Sequence, residues 1–305
     1  MVGSAIQETL KENGYSNIIT ANSKELDLRN QQATNQFIAE QKADVVIIAA
    51  AKVGGILANS DYPWQFLYDN LMIEANLINA ANENHVHDLI FLGSSCIYPK
   101  MAPQPLKEEY LLTGTLESTN QWYAIAKIAG IKLCQALNKQ YGRNYISIMP
   151  TNLYGPRDNF GLKTSHVLPA MIRKFHEAKK SGHMPVTLWG TGSPMREFLH
   201  VKDLAESVRF LLEYDGKLEY NLINAGTGKD LKIKELAEKV QNVTGHQGEI
   251  EWDNSKPDGT PRKLMDVSRI NQLGWKAEID LEVGIKQTYN WFLDNLNTIK
   301  EVEIN

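Results

Sequence analysis

The chain has 305 residues, 43% apolar and 22% charged, an ordinary globular balance that argues against a disordered or coiled-coil protein. At ~150 residues per domain, this length predicts two domains. Its 32 Lys and Arg against 36 Asp and Glu leave a net charge of −4, which excludes nucleic acid or an anionic membrane as the expected partner. An anionic ligand must then be met by a local basic site.

Met1 leads almost directly into the polar segment Gln7-Glu8-Thr9-Leu10-Lys11-Glu12, so no signal peptide is expected. Helical spacing predicts a helix over 4–13, followed by a short strand at 17–20 and a helix at 30–41. The apolar run at 43–51, broken by Asp44, is far shorter than the ~20 residues of a membrane-spanning helix. It reads as a buried strand over 45–51. A long helix at 62–84, a strand at 89–92, a second long helix at 120–141 and a strand at 145–149 follow. Gly14 and Gly142 stop the first and last of these helices, since glycine takes the left-handed conformation that ends a helix. Strands alternating with helices predict an α/β fold, a Rossmann-type doubly wound parallel sheet.

After Pro150 the rhythm loosens at the turn-rich Asn152-Leu153-Tyr154-Gly155-Pro156-Arg157. Helices are predicted at 165–180, 201–214, 233–244 and 281–295, and strands at 186–189 and 220–224. A loop, Lys256-Pro257-Asp258-Gly259-Thr260-Pro261-Arg262-Lys263, precedes the last helix. The expected division is a dinucleotide-binding part, 1–155 and 200–225, and a smaller C-terminal α/β substrate part, 156–199 and 226–305. In such a sheet the first helix follows a strand and a Gly-rich turn that holds a pyrophosphate. Only Met1-Val2-Gly3 precedes it here, so the first strand and most of that turn are expected to be missing.

Tyr123 and Lys127 stand four residues apart, hence on one helix face. A phenol titrates near ~10, and a neighbouring ammonium should bring its proton donation closer to neutral pH. Tyr-x-x-x-Lys alone is a weak motif, and context strengthens it. The strand at 89–92 runs into Gly93-Ser94-Ser95-Cys96-Ile97-Tyr98, and an open parallel sheet binds ligands beyond the carboxyl ends of its strands. Ser94 is thereby expected to share a carbonyl oxygen with Tyr123. Two cysteines, Cys96 and Cys134, are too few for a disulfide framework and suggest free thiols in a cytoplasmic protein. Cys134, on an apolar helix face, reads as a small buried hydrophobe. His85 and His87 lack further ligands and read as a surface loop, so no metal is expected.

The strings Ala49-Ala50-Ala51-Lys52-Val53-Gly54-Gly55-Ile56, Gly93-Ser94-Ser95-Cys96-Ile97-Tyr98-Pro99-Lys100, Pro150-Thr151-Asn152-Leu153-Tyr154-Gly155-Pro156, Pro194-Met195-Arg196-Glu197-Phe198-Leu199-His200 and the loop ending at Lys263 are long and specific. Through them, and over 2–292, the chain resembles the extended short-chain dehydrogenase/reductase superfamily and, within it, the GDP-L-fucose synthases. The resemblance implies NADPH-dependent epimerisation at C3 and C5 and reduction at C4 of GDP-4-keto-6-deoxy-D-mannose. It implies Tyr123 as proton donor, Lys127 as its electrostatic partner and a cofactor ligand, and Ser94 as polariser of the ketone. Cys96 and His166 match its acid–base pair for inversion. Ser165 is the expected N-cap before His166, whose imidazolium a helix N-terminus should disfavour.

By the same resemblance, Lys174, Trp189, Arg196, Asp258 and Lys263 contact the GDP-sugar, with Arg196 and Lys263 clamping the diphosphate. Contacts to NADP(H) are expected from Gly3, Asp27, Leu28, Ala49, Ala50, Ala51, Leu92, Gly93, Ser94, Lys127, Pro150, Thr151, Asn152, Leu153 and His166. Lys24 stands where basic residues often meet the 2′-phosphate. A homodimer through the helices at 62–84 and 120–141 is implied as well. Two alternatives are a non-catalytic nucleotide-sugar-binding remnant with defective cofactor binding, and another nucleotide-sugar epimerase or dehydratase.

Overall fold

The computed structural model describes residues 1–162, 164–256 and 258–299. Pro257 of the predicted loop and positions 300–305 of the expected substrate part lie outside them. In chain order the elements are α1 (Val2–Glu12), α2 (Gln31–Gln41), β1 (Val45–Ile48), α3 (Ile56–Asp61), α4 (Pro63–Glu83), β2 (Asp88–Leu92), α5 (Gln121–Tyr141), β3 (Asn144–Pro150) and β4 (Asn152–Tyr154). There follow α6 (Val167–Lys180), β5 (Val186–Trp189), β6 (Met195–His200), α7 (Val201–Glu213), β7 (Leu222–Ala225), β8 (Asp230–Lys232), α8 (Ile233–Thr244), β9 (Ile250–Asp253), β10 (Arg262–Lys263), α9 (Ser268–Leu273) and α10 (Leu281–Asp294).

Strands β1, β2, β3 and β7 form a parallel sheet in that order. Successive side chains of a strand point to opposite faces, and β2 divides accordingly. Leu89 and Phe91 pack with Leu77 and Ile78 of α4 and Ile131 of α5. Ile90 and Leu92 pack with Ile6 and Leu10 of α1 and Leu204 and Val208 of α7. A sheet covered on both faces explains why its strands read as continuous apolar runs. The strand predicted at 17–20 is not formed. β1 pairs with β2 on one side, and along its other edge no strand lies among the described residues. The 17–20 segment therefore has no ladder to join, and Ile19 is 43% exposed.

The chain passes from the first sheet to the second within two residues. β3 ends at Pro150 and β4 pairs in parallel with β6, which also pairs with β10 in parallel and β8 antiparallel. Strands β5 and β9 form a separate parallel pair. Phe160, Ile172, Phe175, Phe198, Leu236, Ile285 and Phe292 fill the core of this half. At the junction, Glu197 of β6 is fully buried. Its carboxylate accepts the backbone N–H groups of Thr227 at 2.6 Å, Gly228 at 2.7 Å and Met265 at 2.9 Å. Those bonds tie β6 to the turn after β7 and to the segment after β10, and so fix Arg196 and Lys263 on either side of one buried anchor. No helix among the described residues is long and apolar enough to cross a membrane.

Candidate active site

The carboxyl ends of the first sheet set one wall of the site. Leu92 ends β2, and the N–H of Gly93 after it donates to the Ile148 carbonyl at 2.8 Å. Ser94 then turns the chain into a one-turn 3-10 helix, its hydroxyl accepting the Cys96 N–H at 3.3 Å. Ser94 thus has a local bond and remains partly exposed. Cys96 behind it is buried. Burial pushes its thiol up, while the Lys263 ammonium, then the Ser94 bond and Lys127, pull it back.

Helix α5 brings Tyr123 and Lys127 against this turn. The Lys127 ammonium donates to the Leu92 carbonyl at 2.9 Å and lies 5.7 Å from the Tyr123 ring centroid. The expectation that Lys127 draws the phenol toward neutral pH does not hold in this structure. Burial first, then Cys96 and Glu74, push Tyr123 well above its ordinary value. The physical reason is burial of the phenol, and the nearby ammonium is itself paired with Glu74 of α4 at 2.8 Å. Glu74 escaped the sequence reading, although a carboxylate in step with Phe66, Asn70, Leu77 and Ala81 on a buried helix face was a visible signal. Asn120 was missed too. Its Oδ1 is buried without a hydrogen-bond partner among the described residues, and it lines the same small cavity as Cys96 and Lys263.

His166 is itself the N-cap of α6, in place of the expected Ser165, and its side chain makes no capping bond. The ring keeps solvent access, yet partial desolvation and then the charge of Lys263 disfavour its imidazolium. Burial thus favours the protonated thiol and the neutral imidazole, with one ammonium acting on both.

That ammonium is placed by backbone pairing. In the β10–β6 ladder Lys263 stands opposite Arg196. Arg196 donates to the Met195 carbonyl at 2.8 Å and to the Asp258 carbonyl at 3.4 Å. Burial lowers Arg196, and burial followed by Cys96 and Arg196 acts on Lys263 with a net lowering. Two cations held side by side at such a cost await an anion of more than one charge. The Asp258 carboxylate accepts the Thr191 N–H and hydroxyl, both at 2.8 Å, just after Trp189. Lys174 donates to the Thr187 carbonyl at 2.9 Å, and Trp189 is exposed with Lys256 5.6 Å from its ring centroid. These three residues gather along the end of β5, beside rather than within the Cys96 and Tyr123 cluster.

The residues expected to hold a dinucleotide lie along the other wall. Gly3 is exposed in the first turn of α1, and a Cβ there would lie 3.8 Å from Ala49 Cβ. The helix start and the end of β1, continuing as Ala49, Ala50 and Ala51, thus approach closely. Among the described residues no side chain caps α1, and the N–H groups of a helix N-terminus suit an anion such as a pyrophosphate. Pro150, Thr151, Asn152 and Leu153 cross from β3 to β4, with Thr151 N–H on the Ala225 carbonyl at 3.0 Å and Asn152 Nδ2 on the Glu197 carbonyl at 2.8 Å. This row fits an extended dinucleotide. Asp27 and Leu28 are engaged locally. Arg29 holds the Asp27 carboxylate through two bonds of 3.0 Å and below its usual range, and the Leu28 carbonyl accepts from Asn76 at 2.8 Å. Lys24 is exposed in the turn before them.

Residues 1–226 match the NAD dependent epimerase/dehydratase family. The chain is similar to GDP-L-fucose synthase of Escherichia coli (strain K12), 54% identical over 97% of this chain and 94% of the relative. It is also similar to GDP-L-fucose synthase 1 of Arabidopsis thaliana, 55% identical over 97% of this chain and 91% of the relative. Among solved structures, a GDP-L-fucose synthetase from Naegleria fowleri bound to NADP superposes with a TM-score of 0.88 at 28% identity, covering 98% of this chain and 93% of that one.

Proposed function

Because the chain belongs to the NAD dependent epimerase/dehydratase family, we propose that it converts GDP-4-keto-6-deoxy-D-mannose to GDP-L-fucose, by epimerisation at C3 and C5 and NADPH-dependent reduction at C4. The observation that carries this reading is the placement of Cys96 beside both Tyr123 and Lys263. A reductive proton donor, an exchangeable thiol and a diphosphate-binding cation share one site.

Arg196 and Lys263 hold the diphosphate of the substrate, while Lys174, Trp189 and Asp258 meet the remainder of the nucleotide. Gly3, Ala49 to Ala51 and Pro150 to Leu153, along the ends of the first sheet, would hold NADPH, which when bound would supply the hydride for C4. Tyr123 delivers a proton to the C4 oxygen, and Ser94 polarises the same oxygen. These groups also stabilise the enolate that forms when a proton leaves C3 or C5, since negative charge develops on that oxygen in both half-reactions. Cys96 and His166 exchange protons with opposite faces of those carbons.

The dinucleotide-binding part comprises 1–155 and 200–225, and the substrate part 156–199 and 226–305. The protein works as a homodimer through α4 and α5, a reading supported by the exposed Trp64, Tyr68, Trp122, Ile125 and Leu133 on those helices. A cytoplasmic location suits its two free, buried thiols.

The test is to supply the keto-sugar nucleotide with NADPH and follow nicotinamide absorbance and the sugar product. Tyr123→Phe should mainly impair hydride transfer, and Cys96→Ser should mainly impair exchange of solvent deuterium into C3 and C5. No NADPH oxidation by the wild-type chain rejects the proposal.

A further inference from the structure

Helix α4 carries a carboxylate where its buried face calls for an apolar side chain. The Glu74 side chain is 1% exposed, and its partner Lys127 is 2% exposed. Burying a carboxylate is costly unless a cation compensates it, and α5 is shaped to admit this one. Gly130 lies one turn beyond Lys127, and a Cβ there would meet Glu74 Oε2 at 2.8 Å and Phe91 Cζ at 2.5 Å. Glycine inside a helix is unfavourable, so the helix gives up propensity to let Glu74 reach the ammonium. Three contacts then define where that ammonium sits: Glu74 Oε1 at 2.8 Å, the Leu92 carbonyl at 2.9 Å and the Phe91 ring centroid at 4.7 Å.

We propose that Glu74 is a positioning residue: it fixes the Lys127 ammonium between Leu92 and Tyr123, balances its charge, and so sets the acid strength of Tyr123. The other titratable groups that bear on the trio are Cys96 from the turn after β2, Cys134 from α5 and, behind Cys96, Lys263 from β10. Burial raises both thiols, Cys134 to about 12. After burial, Cys96 and then Glu74 are the charges that raise Tyr123, and the Glu74 carboxyl is itself pushed up by burial and pulled back by Lys127. The catalytic consequence rests on the reductive role proposed for Tyr123, whereas the electrostatic one rests on the geometry alone.

Glu74→Gln separates the two contributions, since the amide still offers the ammonium an oxygen but carries no charge. Protein labelled with 13C at tyrosine Cζ, unliganded and assigned with Tyr123→Phe, reports the phenol directly. The Tyr123 resonance of Glu74→Gln should titrate about one pH unit or more below wild type, because Lys127 is no longer offset. During turnover with NADPH, the basic limb of the kcat profile, where Tyr123 loses its proton, should fall in parallel with KM for the GDP-sugar unchanged. Glu74→Asp, which keeps the charge one methylene further away, should shift both by less. A folded Glu74→Gln protein with an unmoved Tyr123 titration and an unmoved limb makes Glu74 merely structural and overturns the proposal. Should Glu74→Gln not fold, unmoved values in Glu74→Asp overturn it. A wild-type chain inert toward the keto-sugar rejects the proposed function, while a shifted resonance still upholds the role of Glu74.

Discussion

His200 ends β6 and caps α7, and its imidazole must be neutral to do so. Nδ1 accepts the Lys202 N–H at 3.3 Å, the Tyr154 ring stands edge-on with centroids 5.3 Å apart, and the residue is 4% exposed. Burial, and then the charge of Lys202, lower its pKa to about 4. In the unfolded chain it titrates near ~6.5, so folding is favoured by the neutral form. That contribution is fully present above pH ~6.5 and is lost as the pH falls through the folded value near 4. A separation of about 2.5 units at ~1.4 kcal/mol each, most of it realised by about pH 4, amounts to about 3 kcal/mol. Denaturant midpoints from about pH 7 to about pH 4 measure it against His200→Asn, whose amide oxygen accepts the same capping N–H without titrating. His176 and His246, also lowered mainly by burial, are common to both proteins and cancel. Wild type should lose about 3 kcal/mol more than the variant over that range. Parallel curves would refute the reasoning.

Lys263→Met should let burial push the Cys96 thiol higher still. The acidic limb of deuterium exchange into C3 and C5 should then move to higher pH, while KM for the GDP-sugar rises about tenfold or more through loss of a charged contact. Gly190 has φ 76° and abuts the Asp258 carboxylate, so Gly190→Ala should cost ~1–3 kcal/mol in unfolding measurements and raise KM with kcat preserved. Gly130→Ala should lower stability by about 1–2 kcal/mol, as overpacking against Phe91 and Glu74 exceeds the ~1 kcal/mol gain in helix propensity. A denaturant midpoint at or above wild type would contradict that packing.

Long periodic elements were legible in the sequence because local pattern and burial agree in them. Helix 233–244 and strand 186–189 were read with the bounds observed, and the long helices to within a residue or two. The strand at 17–20 failed for the opposite reason, since its extended form needed a neighbour that its own residues do not supply. The two- to four-residue strands β4, β8, β9 and β10 owe their existence to partners far along the chain and leave almost no periodic trace. In the candidate site, residue types were readable from the motifs, but their charge states were not. That Lys127 answers to Glu74 before Tyr123, and that Lys263 acts after burial on both Cys96 and His166, follows from contacts between distant segments.

Strand β10 is only two residues long, yet it carries the ammonium that acts on both Cys96 and His166. It is also the last piece of the site to be synthesised. A growing chain can close the strands β1, β2 and β3 and seat Tyr123 beside Cys96 well before Lys263 emerges. The Met265 N–H on Glu197 adds to the β10–β6 ladder in registering Lys263 against Arg196. Loss of the β10–β6 pairing would thus remove one charge from Cys96 and His166 together and raise the proton affinity of both.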